Sequence, residues 1–326
     1  MSAPVIALHW TILAVLGFCA LTLIGNLIVF RGLRRADPPA NAPLVSILVP
    51  ARNEERNITA CVESLLAQDY PNWELVVVDD HSSDATGDIV RGLFARHRGT
   101  RRLQLVQGES LPSDWVGKNW ACHQLSQQAR GDFLFFTDAD TKHAPGTVTA
   151  AVAFAQKHRA DLVSAWPQMI TETLGEKLII PIIIVVGFAM CPHWLAVLLQ
   201  NCPALARRLP KSVLRAVGGA NGQFMFFSRK GYTQIGGHTC VKNNVVEDVA
   251  LGRAVAEQIG DGLRLYNCES LQFSTVRMYH SFGETWAGFT KNLRGIFEDR
   301  EVAFWLFLLG MWGCFVVPCF RWAWPW

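Results

Sequence analysis

Between residues 44 and 136, short apolar runs alternate with helical patterns, and this alternation constrains the fold more than any other feature of the chain. Residues 44–49 read as a strand bounded by Pro50, 74–78 as a second, 103–106 as a third and 133–136 as a fourth. Ile58, Cys61, Val62, Leu65 and Leu66 recur at helical spacing after Asn57, a fair N-cap. Further helices are expected at 85–97 and 119–129. Strands alternating with helices give an α/β fold whose mostly parallel sheet is covered on both faces. In such sheets ligands bind beyond the carboxyl ends of the strands.

Three polar clusters fall at those ends: Arg52-Asn53-Glu54, Asp79-Asp80 and Asp138-Ala139-Asp140. If the chain stays extended past residue 136, Asp138 and Asp140 face one side and can share a divalent cation, Mg2+ or Mn2+ by oxygen chemistry. Otherwise Asp140 only caps a turn. Asp79, and less strongly Asp80, would accept hydrogen bonds from a base edge or ribose hydroxyls; Ser82, Ser83 or Asp84 would cap the next helix. Lys118, just before a helix, can offset diphosphate charge; the alternative is a solvated lysine. Neither a P-loop nor a Gly-x-Gly-x-x-Gly follows the first strand, which disfavours an ATPase and a dinucleotide fold.

In the second half, Gly218-Gly219-Ala220-Asn221-Gly222-Gln223 precedes a strand-like run at 224–227. The glycines would let backbone approach a ligand, with Asn221 and Gln223 reaching sugar hydroxyls. Glu247-Asp248 opens a helical pattern. Acids in a first helical turn are ordinary dipole partners, but the nearby glycine turns suggest a cleft, making Asp248 a candidate general base.

Hydrophobic residues make up 50% of the 326 and charged ones 17%, and the excess sits in a few runs. From Val5 to Phe30 only His9 and Asn26 are strongly polar, a stretch longer than the ~20 residues a helix needs to cross a bilayer. Arg31, Arg34 and Arg35 come after it, so it reads as an uncleaved anchor with the following chain in the cytosol. Residues 302–320 form another apolar run, with Trp312, Trp322, Trp324 and Trp326 suited to an interfacial belt. Residues 178–199 contain Pro181, Pro192 and His193 and are expected to lie broken or re-entrant in the cytosolic interface. A net charge of +3 and no basic stripe argue against nucleic acid. The nine cysteines lack metal-site spacing and read as reduced core thiols.

The motifs Val49-Pro50-Ala51-Arg52-Asn53-Glu54, Val78-Asp79-Asp80-His81-Ser82-Ser83-Asp84-Ala85-Thr86, Asp138-Ala139-Asp140 and Glu247-Asp248, in that order over residues 44–260, resemble glycosyltransferase family 2 and its GT-A fold. Trp115-Val116-Gly117-Lys118-Asn119-Trp120-Ala121 and Arg277-Met278-Tyr279 extend the resemblance to membrane glycosyltransferases of hopanoid and carotenoid synthesis, including diaponeurosporenoate-type enzymes. The resemblance implies an inverting transfer from a nucleotide-diphosphate sugar, a UDP-sugar favoured, to a membrane lipid. Asp248, with Glu247 beside it, would be catalytic, and Asp138 and Asp140 would serve the metal. The donor would lie against Pro50, Arg52, Asn53, Glu54, Asp79, Asp80, Lys118, Asp138, Ala139, Gly219, Asn221, Gln223 and Arg277. No Gln-x-x-Arg-Trp follows the base motif, which argues against long-chain polymer synthesis; Arg277 would take that arginine's place.

The organisation expected is an anchor at 1–35, a nucleotide-sugar-binding half at 44–170, the interfacial segment at 171–215, an acceptor half at 216–300 and a C-terminal transmembrane segment at 301–326. Such a protein would sit in the cell membrane as a multi-pass protein with a cytoplasmic catalytic domain. The rival readings are a polyprenyl-phosphate sugar synthase and a catalytically silent nucleotide-sugar-binding scaffold.

Overall fold

The structure is a computed structural model, and it describes residues 3–97, 99, 102–297 and 301–312. Its strands are β1 (Val45–Ala51), β2 (Trp73–Asp79), β3 (Leu103–Gln107), β4 (Phe133–Phe136), β5 (Thr141–His143), β6 (Leu162–Trp166), β7 (Gln168–Met169), β8 (Met225–Ser228), β9 (Leu265–Glu269) and β10 (Ser274–Val276). The helices of the first half are α1 (Ala3–Val29), α2 (Ile58–Leu66), α3 (Thr86–Arg96), α4 (Gly117–Gln128) and α5 (Thr147–His158). Those of the second half are α6 (Leu174–Met190), α7 (His193–Asn201), α8 (Pro203–Ala206), α9 (Lys211–Ala216), α10 (Arg229–Gln234), α11 (Glu247–Glu257), α12 (Phe282–Ile296) and α13 (Glu301–Met311).

Seven strands form one sheet in the order β3-β2-β1-β4-β8-β6-β9. All neighbours are parallel except β8, which runs antiparallel to β4 and β6. The alternation explains the layering. Along β1 and β2, Ile47, Val49, Leu75 and Val77 face a core shared with α2, α3 and α5. Leu48, Val76 and Val78 face the opposite core, closed by α4 and α11. Both faces are therefore dry, which is why these strands read as continuous apolar runs. A small second sheet, β5-β10-β7, folds over the carboxyl edge.

The chain does not stay extended after β4. Ala139 and Asp140 make a turn, with Thr141 N donating to the Asp138 carbonyl at 3.2 Å. Asn57 stands at the start of α2 without capping it; its amide donates to Glu54 Oε2 at 2.9 Å. Residues 178–199 form two helices, α6 and α7, broken at Cys191-Pro192. The break is held from α1. Asn26 Nδ2 donates to the carbonyls of Phe188 (2.7 Å) and Cys191 (2.8 Å), while its Oδ1 accepts from Trp194 N at 3.0 Å. One amide thus satisfies backbone groups that the interruption frees, the requirement for irregular backbone in an apolar setting. Gly25 permits the approach, since a Cβ there would lie 2.6 Å from the Trp194 ring.

Two segments, His9–Val29 and Leu174–Asn201, are long and apolar enough to cross a membrane by length and composition. A single crossing by the second would separate β8 from β4, its hydrogen-bonded neighbour. The C-terminal apolar run is described only as far as Trp312; Trp322, Trp324 and Trp326 lie outside the described residues. Seven cysteines are described and all are free thiols.

Candidate functional site

The loops after β1 and β2 are laced together. Asn53 adopts φ 56°, a left-handed conformation that asparagine tolerates. Its N–H donates to Ser82 Oγ (3.0 Å), and its Oδ1 accepts from Ser83 N (2.8 Å). Glu54 N donates to Thr86 Oγ1 at 2.8 Å, and Asp84 accepts from the backbone of both Glu55 and Thr86. The two adjacent acids diverge. Asp79 Oδ1 accepts from Ser82 N at 3.1 Å, and its Oδ2 sits 2.5 Å from where a Cβ of Gly87 would be, tucked against the start of α3. Asp80 instead lines a cavity of about 310 Å³ and lies 3.6 Å from the Arg52 guanidinium.

That cavity gathers Pro50, Arg52, Glu54, Asp80, Lys118, Asp138, Ala139 and Asp140. The turn after β4, rather than an extended chain, brings Asp138 and Asp140 to it together. Burial pushes the Asp140 carboxyl up to about 7, helped by Asp138 and Glu54 against the pull of Lys118. Burial raises Glu54 as well, ahead of Asp138 and Asp84. Carboxylates so crowded repel one another, and positive charge stabilises them.

Lys118, in the first turn of α4, supplies one such charge. Its Nζ lies 2.8 Å from both Asp138 Oδ1 and Glu247 Oε1, so it ties the two halves of the domain together. Burial acts against its ammonium form, but Asp138 and Glu247 outweigh that and hold it well above the usual lysine range.

On the other side of Lys118, Asp248 stands in the first turn of α11. Its Oδ2 accepts from Gly222 N at 2.8 Å and its Oδ1 from Val249 N at 2.7 Å. Burial, then Glu247, pushes its carboxyl up to about 7 against Lys118 and these two donors. Gly222 marks the seam: a Cβ there would sit 3.3 Å from Asp248 Oδ2 and 3.4 Å from Lys118 Nζ. Reading from sequence named its neighbours Gly219, Asn221 and Gln223 but missed Gly222, whose importance lies in a contact across the chain.

The other glycine-loop residues divide their tasks. A Cβ on Gly218 would meet Ala256, Arg253 and Gly252 at 2.7 Å, so this glycine serves packing against α11 rather than approach to a ligand. Gly219 faces open space, and its carbonyl accepts from Asn267 Nδ2 at 3.0 Å. Asn221 Oδ1 accepts from Gln223 N at 2.9 Å, whereas both side-chain amide atoms of Gln223 are buried without a partner. Arg277 is engaged elsewhere: it pairs with Glu172 at 2.6 Å and Glu176 at 3.3 Å, beside the start of α6. Tyr279 was not singled out as a site residue. Burial raises its hydroxyl, with Asp140 adding to the rise, which places it in that carboxylate's field.

Among the described residues no group of three or more His, Cys, Asp or Glu side chains could hold a metal by itself. Two carboxylates at the mouth of a diphosphate-sized cavity nevertheless suit a cation of the Mg2+ type, which takes one or two carboxylates and completes its shell with phosphate oxygens.

Known proteins resemble this chain in sequence and in fold. Residues 46–196 match the profile described as Glycosyl transferase family 2. The 4,4'-diaponeurosporenoate glycosyltransferase of Staphylococcus haemolyticus (strain JCSC1435) is 26% identical over 274 residues, covering 83% of this chain and 66% of its own. That of Staphylococcus aureus (strain USA300) is 27% identical over 256 residues, covering 78% and 61%. The chain thus spans slightly less than two thirds of these relatives. Among solved structures, a mannosyltransferase from Pyrobaculum calidifontis, in complex with GDP-Man and Mn2+, superposes with a TM-score of 0.58 at 19% identity, over 89% of this chain and 73% of its own. The fold is GT-A, and residues 46–196 are similar to glycosyltransferase family 2.

Proposed function

We propose that this protein transfers a sugar from a nucleoside-diphosphate sugar to a lipid acceptor at the membrane surface, inverting the anomeric carbon. The observation that carries this reading is the placement of Lys118 between two acidic groups with different tasks. On one side lie Asp138 and Asp140, on the other Asp248.

The donor's diphosphate would lie in the cavity, with Asp80 and Arg52 toward its nucleoside and Lys118 toward the departing phosphate. Asp138 and Asp140 would hold a divalent cation, which when bound supplies further positive charge against the leaving group. Asp248 would take the proton of an acceptor hydroxyl in a single displacement, and a carboxyl raised to about 7 is suited to that task near neutral pH. An acceptor carboxylate needs no base, and Asp248 would then position it. A lipid acceptor is supported by the apolar α1 and α6 beside the domain and by the carotenoid acid named for the staphylococcal relatives. A cytosolic side for the domain is supported by the arginines that follow the apolar α1.

The test is incubation of membranes carrying the full chain with radiolabelled nucleotide sugars. Asp248→Asn should lower transfer by 10²-fold or more, the usual order for a general base, while donor binding by calorimetry stays within about twofold. Unchanged turnover would remove Asp248 from the mechanism. A mild-acid-labile lipid product would instead indicate a phosphate acceptor.

A further inference from the structure

Away from the catalytic cavity, a second cavity of about 320 Å³ lies where the chain leaves α1 and passes the end of α5. Arg31, Arg34, Arg35, Lys157 and His158 line it, with Phe154 as an apolar wall, and no carboxylate is among its lining residues. Among the described residues, Arg31, Arg34, Arg35 and Lys157 have no ion-pair partner. Glu269 packs against the backbone of Gly32 without pairing with any of them. The His158 imidazole is held below its usual range by burial and then by Lys157, Arg31 and Arg264, as expected where positive charges converge. Four unpaired cations around one concavity repel one another, an arrangement that an anion would stabilise.

The position narrows the anion. Arg31 lies two residues past Val29, the last of α1, and Arg35 six. At ~3.5 Å per residue both stay within about 20 Å of the helix end. With α1 in a bilayer, the cavity mouth therefore borders the headgroup layer, where a free phosphate is sparse and lipid phosphates are dense. Phe154 offers the apolar surface a glycerol backbone would meet.

We propose that this cavity binds the phosphate of an anionic membrane lipid, fixing how the catalytic domain sits over the bilayer. The inference shares with the proposed function only the reading of α1 as a membrane anchor, and it does not depend on sugar transfer.

Native mass spectrometry of the full chain in neutral detergent tests it, with phosphatidylglycerol, phosphatidylcholine and inorganic phosphate as probes. The wild type should retain one phosphatidylglycerol in preference to phosphatidylcholine. The double substitution Arg34→Ser with Lys157→Ser should weaken that binding about thirtyfold, at the usual contribution of a basic residue near an anionic surface. Arg34→Lys with Lys157→Arg should preserve it, as should the charge-matched control Arg96→Ser with Lys230→Ser. Equal loss in the control would mean that net charge alone is sensed and would overturn the proposal. Displacement of the lipid by millimolar inorganic phosphate would overturn the lipid assignment. The serine variant should keep its turnover on donor sugar in detergent, so failure here is distinguishable from failure of the transfer reading.

Discussion

Asp248 and Lys118 are coupled through space, and the coupling is measurable. A base pushed up to about 7 is protonated, and therefore inactive, below that pH. The rate should accordingly fall as pH drops through 7 and level off above it. Lys118 favours the ionised form of Asp248, so Lys118→Met should move this acid limb to higher pH as well as slow the reaction. A pH–rate profile of both proteins checks it; superimposable limbs would show that Asp248 does not control the rate. The carboxylates themselves were legible in the sequence because three polar clusters each follow an apolar strand and so fall on one edge of a parallel sheet. The division between Asp79 and Asp80 was not legible. Adjacent residues point to opposite sides, and which one faces the cavity depends on Gly87 and Ser82, contacts made by another element.

At the level of elements, the joint between α1 and the broken pair α6 and α7 rests on a single polar residue in an apolar helix. Asn26→Leu would leave the Phe188 carbonyl and the Trp194 N–H without their partner, while the Cys191 carbonyl keeps the His193 N–H at 2.9 Å. It should cost about 1–3 kcal/mol, as for buried polar groups left unsatisfied, read as a lower midpoint of thermal inactivation and faster proteolysis near residue 192. A second close contact holds the second half of the domain. A Cβ on Gly252 would lie 2.4 Å from the carbonyl carbon of Gly219, where backbone cannot yield. Gly252→Ala should therefore cost about 1–3 kcal/mol by overpacking and displace the loop that carries Gly222, so activity falls with stability. Normal stability and turnover in this variant would contradict the packing. The break at Pro192 could be read from composition. Its stapling by Asn26 could not, because 168 residues separate the partners.

For the whole molecule, sheet order decides topology. β4 and β8 are hydrogen-bonded although α6 and α7 intervene, so both halves must lie on one side of any membrane. In oriented membrane vesicles, an impermeant maleimide should label the exposed Cys240 and a cysteine introduced at exposed Arg96 from the same side. Labelling from opposite sides would break the sheet. The sequence by itself determined the parallel α/β core, the acidic clusters at its carboxyl edge and the apolar runs, because periodicity and strand-end chemistry are local properties. Only the tertiary structure decided that the Asp138–Asp140 turn converges on Lys118, that Gly222 opens the seam to Asp248, and that Arg277 is taken up by Glu172 and Glu176. Those outcomes depend on which distant side chains meet, and that follows from how the layers pack rather than from spacing along the chain.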